Sequence, residues 1–146
     1  MKHPENFFFK EYSTGISGGK QEVFGVSFAD NRWKDQGVHN PSLSIRVIKT
    51  DLSPREWLEK YYDRAVPPIL GDIPEPSTGY ENIEETTING MPAIQFRLLA
   101  TSDLSESIII QKKPSLLFHI SAISSGIGNF PEELRDQILS TFRFVK

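Results

Sequence analysis

Apolar and polar residues alternate along much of the chain, most cleanly in Ser42-Leu43-Ser44-Ile45-Arg46-Val47-Ile48. Leu43, Ile45 and Val47 share one face and Ser44 and Arg46 the other, the period-two signature of a half-buried strand. The same reading makes strands of the aromatic stretch Phe7 to Tyr12 and of the alternating stretch Val23 to Phe28, joined by a loop over the Gly/Ser-rich residues Ser13 to Gly19. A polar connection, Asp30 to Pro41, follows. After the strand at Ser42 the period changes. Ser53-Pro54-Arg55-Glu56 puts a hydroxyl at a helix N-cap, proline at the first helical position and glutamate three residues after the cap, a capping box. Trp57, Leu58, Tyr61, Tyr62 and Ala65 then recur at helical steps on one face. Pro67-Pro68 is expected to end this helix, because each proline lacks an amide donor and disfavours helical geometry in the residue before it. The stretch Pro67 to Gly79, with Pro67, Pro68, Pro74, Pro76, Gly71 and Gly79, reads as an ordered or semi-rigid loop.

From Ile83 onward the pattern predicts an antiparallel meander. Ile83 to Ile88 and Met91 to Ala100 flank Asn89-Gly90, and both central positions of a type I′ turn need the positive φ that Asn-Gly tolerates. Pro92 falls just after the turn, where a missing donor costs least. A turn at Thr101 to Leu104 leads to Glu106 to Gln111, and Lys112-Lys113-Pro114 turns into a strand with Leu116, Phe118, Ile120 and Ala122 on one face. Beyond Gly126 to Asn129, Pro131-Glu132-Glu133 opens a second expected helix with its buried stripe at Leu134, Ile138 and Leu139. Phe142-Arg143-Phe144 reads as a short terminal strand. The expected fold is therefore α+β, an antiparallel sheet of about six to seven strands flanked by two main helices. The 146 residues suit a single domain over 1–146 with one packed core.

Composition narrows the chemistry. With no cysteine the chain has no disulfide framework, thiolate metal site or thiol nucleophile. Sixteen basic against nineteen acidic residues, mostly interspersed, leave a formal charge of -3 and no cationic surface for phosphate-driven nucleic-acid binding. Apolar runs such as Phe7-Phe8-Phe9 and Ile108-Ile109-Ile110 fall far short of the ~20 residues of a membrane-spanning helix. Met1-Lys2-His3-Pro4-Glu5 is polar with no apolar stretch after it, so these residues carry no secretory signal, and export stays open.

Gly15-Ile16-Ser17-Gly18-Gly19 matches the G-x-S-x-G pattern of a nucleophile elbow, in which a strained strand-to-helix turn exposes the serine. Here Gln21 to Phe28 follows as a strand, and without the helix the elbow has no mechanism, so an ordinary glycine-serine loop is the expectation and a serine hydrolase centred on Ser17, with His119 or His39 as base, is the rival. Gly19-Lys20 fails as a phosphate loop because Thr14 and Gln21 occupy the required glycine and hydroxyl positions. Gly126-Ile127-Gly128 fails as a dinucleotide fingerprint because Pro131 holds the third glycine position. His3, His39 and His119 lack the spacing that lets two imidazoles share a metal from one helix, and His119 reads as a sheet-face residue opposite Phe118. The neighbouring acids Glu84-Glu85 and Glu132-Glu133 diverge in strand or helix and read as solvated charge. Trp33, within the polar run Asn31-Arg32-Trp33-Lys34-Asp35, is the one candidate partner contact, against the plainer reading of an indole packed under a loop. No catalytic, cofactor-binding or metal-ligating residue is expected.

Ile88-Asn89-Gly90-Met91-Pro92-Ala93-Ile94-Gln95-Phe96 and Ile138-Leu139-Ser140-Thr141-Phe142-Arg143-Phe144, with the helix start Leu52-Ser53-Pro54-Arg55-Glu56-Trp57, give the chain a resemblance to the PsbP-like family over about Ser42 to Lys146. That family is related to the extrinsic P protein of photosystem II and to bacterial and archaeal lipoprotein domains of unassigned role. The resemblance implies an α/β/α sandwich on an exported or lipid-anchored, extracytoplasmic protein. It also implies a non-catalytic binding or assembly module with a protein partner and no cofactor. A third reading is a small-ligand carrier with a pocket between sheet and helix, near Pro67 to Gly79.

Overall fold

The computed structural model describes residues 7–12, 16–17, 20–30, 42–65, 78–99 and 103–125 together with Glu133, Asp136 and Ser140; side chains are described for 24–27, 42–65, 78–99, 104–124 and those last three. Eight strands and one helix follow in the order β1 (Phe7–Tyr12), β2 (Ile16–Ser17), β3 (Lys20–Asp30), β4 (Ser42–Lys49), α1 (Pro54–Tyr61), β5 (Gly79–Ile88), β6 (Met91–Leu99), β7 (Asp103–Lys113) and β8 (Leu116–Ser125). Seven of them form one antiparallel sheet in the spatial order β1-β3-β4-β8-β7-β6-β5, with the short β2 paired to β3. The sheet consists of two local meanders, β1 to β4 and β5 to β8, that meet where β4 lies against β8.

This corrects the expected α/β/α sandwich with two main helices. Strands dominate the described residues, and α1, eight residues long, is the one continuous helix among them. Glu133, Asp136 and Ser140 are helical and exposed; the other residues of the expected second helix, and those of the expected terminal strand, lie outside the described ones. Alternation and turn chemistry act between near neighbours and report strands well. They carry little information about how many helices cover the sheet.

The hairpin between β5 and β6 forms as its turn residues dictate. Asn89 (φ 50°) and Gly90 (φ 78°) take the two left-handed positions, and Ile88 pairs with Met91. In such a two-residue hairpin the pairs 88/91, 86/93 and 84/95 exchange hydrogen bonds. Pro92, opposite Thr87, therefore turns its donorless nitrogen toward β7, where the β6–β7 ladder begins only at Ala93. Further along, Asn82 (φ 54°) and Ile83 together occupy the register between Glu81 and Glu84, a bulge in β5.

The capping box is present. The Glu56 amide donates to Ser53 Oγ at 3.3 Å and the Ser53 amide donates to Glu56 Oε2 at 2.9 Å. The helix stops earlier than the prolines suggest, because Tyr62 turns extended (φ -137°, ψ 140°). Asp63 to Ala65 then bond to Tyr80 of β5: the Tyr80 amide donates to the Asp63 carbonyl at 2.9 Å and the Ala65 amide to the Tyr80 carbonyl at 2.8 Å. Gly79 (φ 121°) makes this crossing possible, since a Cβ there would fall inside the van der Waals shell of the Asp63 carbonyl oxygen.

Both sheet faces are buried. On one, Ile48, Tyr80, Ile94, Phe96, Ile109 and Leu117 pack against Trp57 and Leu58 of α1. On the far face, Leu43, Ile45, Ala93, Ile108, Ile110, Ile120 and Ala122 form a second cluster with Val26, Ile88, Met91 and Phe118 against it. Each fully buried aliphatic side chain contributes on the order of 1.5–3 kcal/mol, so apolar clusters hold the sheet from opposite sides.

Ser53→Ala is expected to lower unfolding stability by about 1 kcal/mol in chemical denaturation. Glu56 has its carboxyl lowered first by the Ser53 side chain and then by the Ser53 backbone amide. Its ionised form is thus favoured in the fold, and that contribution is present at neutral pH and lost as the pH falls through the native carboxyl value. The loss should be weaker in Ser53→Ala. Gly79→Ala should cost on the order of 2–3 kcal/mol, against roughly 1 kcal/mol for Gly90→Ala, whose added methyl meets open space; equal melting shifts for the two would contradict the close crossing.

Candidate functional site

Across the α1 face of the sheet, the register lines up one row of hydroxyls. Ser27 pairs with Ser44, Ser44 with Ser121 and Ser121 with Ser107, so four neighbouring strands each place a serine in that row. Ser27 Oγ and Ser44 Oγ are 2.9 Å apart, Ser121 Oγ and Ser107 Oγ 3.0 Å, and Ser107 Oγ and Ser105 Oγ 2.8 Å. One register step along, Arg46 pairs with His119, whose Nε2 lies 2.9 Å from Ser121 Oγ. Ser44, Ser105, Ser107, His119 and Ser121 are all buried.

A serine hydroxyl at hydrogen-bond distance from an imidazole is the contact on which nucleophilic catalysis is built. Its surroundings decide what it does here. The His119 ring stacks on Phe96 with centroids 5.9 Å apart and meets the Trp57 edge at 5.7 Å, and the residue is 2% exposed. Trp57 is held in turn by Tyr61 and Tyr62, at centroid separations of 5.4 and 5.8 Å. The Ser121 hydroxyl is shared with Ser107 as well as with His119. The imidazole therefore sits in an aromatic box and its serine in a buried chain of hydroxyls. Such a chain is cooperative, because each bond polarises the next in a medium of low dielectric.

The sequence-based candidates fall elsewhere. Ser17 ends β2 and pairs with Lys20 at the start of β3, so the strand-to-helix turn of a nucleophile elbow is replaced by a strand-to-strand return; its side chain lies outside the described residues. Trp33, His3, His39 and Gly126 to Gly128 also lie outside them. His119 is on the sheet face opposite Phe118, as its alternation predicts, but that face is interior. Glu85 is taken by Arg55 of α1 at 2.9 Å, and Arg55 also reaches Glu59 at 3.6 Å. These carboxylates hold the guanidinium proton more firmly than usual, the Glu85 hydrogen bond foremost. Across β5, β6 and β7, Arg97 lies between Glu106 at 2.9 Å and Glu81 at 3.6 Å, with its pKa raised chiefly by Glu106. These half-exposed pairs sit in solvent and contribute little each. Among the described residues no three His, Asp or Glu side chains converge as a metal site. No helix among them is long and apolar enough to cross a membrane, which says nothing of a β-barrel.

Between α1 and the sheet the space is filled by Trp57, Leu58, Ile109 and Leu117. A shallow cleft of about 350 Å³ opens at the C-terminal end of α1, over Tyr61, Tyr62, Gly79 and Leu98. A smaller cavity of about 210 Å³ lies on the far face, floored by Ile108, Ile120 and Ala122 with Gln95, Glu106 and Asp136 at its rim.

Sequence reasoning missed the serine row. Its signal was available as hydroxyls two residues apart, Ser105 with Ser107 and Ser42 with Ser44, on strands otherwise rich in isoleucine and leucine. Alternation placed Ser44 on the polar face of a half-buried strand and could not tell that this face is covered. No family model, curated protein or solved structure matches the chain.

Ser121→Ala should cost about 1–3 kcal/mol, because Ser107 and His119 each lose a buried partner. The double variant Ser107→Ala/Ser121→Ala should cost clearly less than the sum of the single losses in a denaturation cycle. Strict additivity would show that the row is not coupled.

Proposed function

We propose that this chain is a non-catalytic binding or assembly module of the PsbP-like kind, carried on an exported or lipid-anchored protein. The observation that supports the reading most is the enclosure of the Ser121–His119 pair. The one serine–imidazole contact among the described side chains lies under Trp57 and Phe96 and is tied into a chain of hydroxyls. A general base has to reach the proton it removes from a bound substrate, and an imidazole boxed by two aromatic rings and almost wholly shielded from solvent meets no substrate.

The return of β2 into β3 at Ser17 favours the same reading, since an elbow without a following helix supplies neither the strained turn nor the helix-terminal amides of an oxyanion hole. The resemblance supplies the assembly role and the protein partner. The sheet topology is the chain's own.

A fluorophosphonate probe, which reacts with activated serines, is expected to leave the folded protein unlabelled at neutral pH. A panel of esterase, phosphatase and peptidase substrates should show no turnover above buffer. Labelling or turnover abolished by Ser17→Ala or by Ser121→Ala, with the variant still folded by circular dichroism, would overturn the non-catalytic reading.

A further inference from the structure

Among the described residues the sheet ends in a strand that combines an open backbone with one sign of charge in its own side chains. β5 is the terminal strand of the described sheet, ten residues long where globular strands average about five or six. Among the described residues its outer side is bonded only at Tyr80, by the segment leaving α1. The Asn-Gly turn sets which groups face outward: with 84/95, 86/93 and 88/91 bonded to β6, the amides and carbonyls of Glu85 and Thr87 point away from the sheet.

Natural edges are blunted by proline, lysine, short length or a bulge. The bulge at Asn82 leaves Glu84 to Ile88 in unbroken register, and β5 contains neither proline nor a basic residue. Glu81, Glu84 and Glu85 make the strand acidic. Arg97 and Arg55 take up Glu81 and Glu85, whereas Glu84 is exposed with no cation bonded to it among the described residues. A second copy of the chain would bring its own β5 glutamates to this edge, where like charges disfavour pairing. An extended segment with lysine or arginine at alternate positions meets the opposite situation. Its backbone completes the ladder at Glu85 and Thr87, and its cations fall on the side of the strand that carries Glu84.

We propose that the outer edge of β5 is the docking site of the module, and that its partner is an extended, basic polypeptide segment added as a further antiparallel strand. The inference rests on the binding-module reading and names the surface and the chemistry that reading leaves open.

The test uses the full chain and a labelled, end-capped peptide of eight residues alternating lysine and threonine, with a glutamate-threonine peptide as control. Fluorescence anisotropy should show binding of the lysine peptide that weakens with added salt, and none of the glutamate peptide. Thr87→Pro removes only an outward-facing amide and leaves the bonds to β6 in place, so it should weaken binding about tenfold or more while the far-ultraviolet spectrum is kept. Glu84→Lys should weaken it several-fold. In the unaltered protein, amide exchange at Glu85 and Thr87 should slow on adding the lysine peptide, while Thr86 and Ile88 stay slow throughout; this readout decides the matter even if Thr87→Pro fails to fold. Absence of lysine-peptide binding, equal binding of the two peptides, unchanged exchange at Glu85 and Thr87, or a dimer held through β5 would overturn the proposal. Lysine-peptide binding that survives Thr87→Pro would overturn the edge alone and leave the binding-module reading standing, whereas serine labelling would overturn that reading whatever the edge does.

Discussion

The seam between β4 and β8 is the constraint on which the rest of the molecule depends. Each of the two meanders can form from pairings close in sequence, but the sheet becomes one body only where Ser42–Lys49 lies against Leu116–Ser125. On the far face the seam joins Leu43 to Ala122, Ile45 to Ile120 and Val47 to Phe118; on the α1 face it joins Ser44 to Ser121 and Arg46 to His119. A slip of one residue would exchange the faces of one strand, setting serine hydroxyls among the far-face aliphatics and aliphatic chains across the hydroxyl row. The buried hydroxyls therefore act as a register lock. An all-apolar seam, buried on both faces, would tolerate neighbouring registers far more readily.

From the seam the architecture follows outward. Placing β8 beside β4 sends β7, β6 and β5 away in order, so that β5 becomes an edge and the chain leaving β4 has to cross from the middle of the sheet to its rim. Helix α1 makes that crossing. Its apolar face, Trp57 and Leu58, lands on Ile94, Ile109 and Leu117, and its indole closes over His119. The helix is short because its exit is taken by strand pairing: Asp63 to Ala65 bond to Tyr80, and only a glycine at 79 permits the backbones to come so close. Thus the same topology that buries the imidazole also makes β5, with Glu81, Glu84 and Glu85, the edge of the sheet among the described residues. Among the described residues the imidazole of His119 lies inside, and the glutamates of β5 lie at the rim.

Much of the fold was legible because its determinants act over a few residues. The capping box at Ser53, the left-handed pair Asn89-Gly90, the placement of Pro92 and the alternation of β4, β6 and β8 all rest on sterics and hydrogen bonding between near neighbours. Two expectations failed. The helix was expected to run on toward Pro67, and local patterning does not report that a distant strand, at Tyr80, takes up the backbone after Tyr62. Nor does it report how strongly strands outweigh helices in the fold, so the expected sandwich with two main helices gave way to a mostly antiparallel sheet with one short continuous helix among the described residues. The candidate site was less legible still. Ser17 drew notice through a motif whose mechanism requires a following helix where a strand follows instead, while Ser107 and Ser121 carried no signal of their own and His119 read only as a sheet-face residue.

By itself, then, the sequence determined most of the strand-forming segments, though not β2 or the first residues of β5, which fell outside the expected strands, together with the turn between β5 and β6, the start of α1 and the absence of cysteine, since each depends on residue type and immediate spacing. Only the tertiary structure decided that the polar face of β4 and β8 is interior, that Ser105, Ser107, Ser121 and His119 belong to one buried chain of hydrogen bonds, and that β5 is, among the described residues, the edge of the sheet. Burial and strand order are properties of pairings between distant segments. A serine in an alternating strand has the same local pattern whether its hydroxyl meets water or another serine, and which of the two it meets is set by what the rest of the chain lays against it.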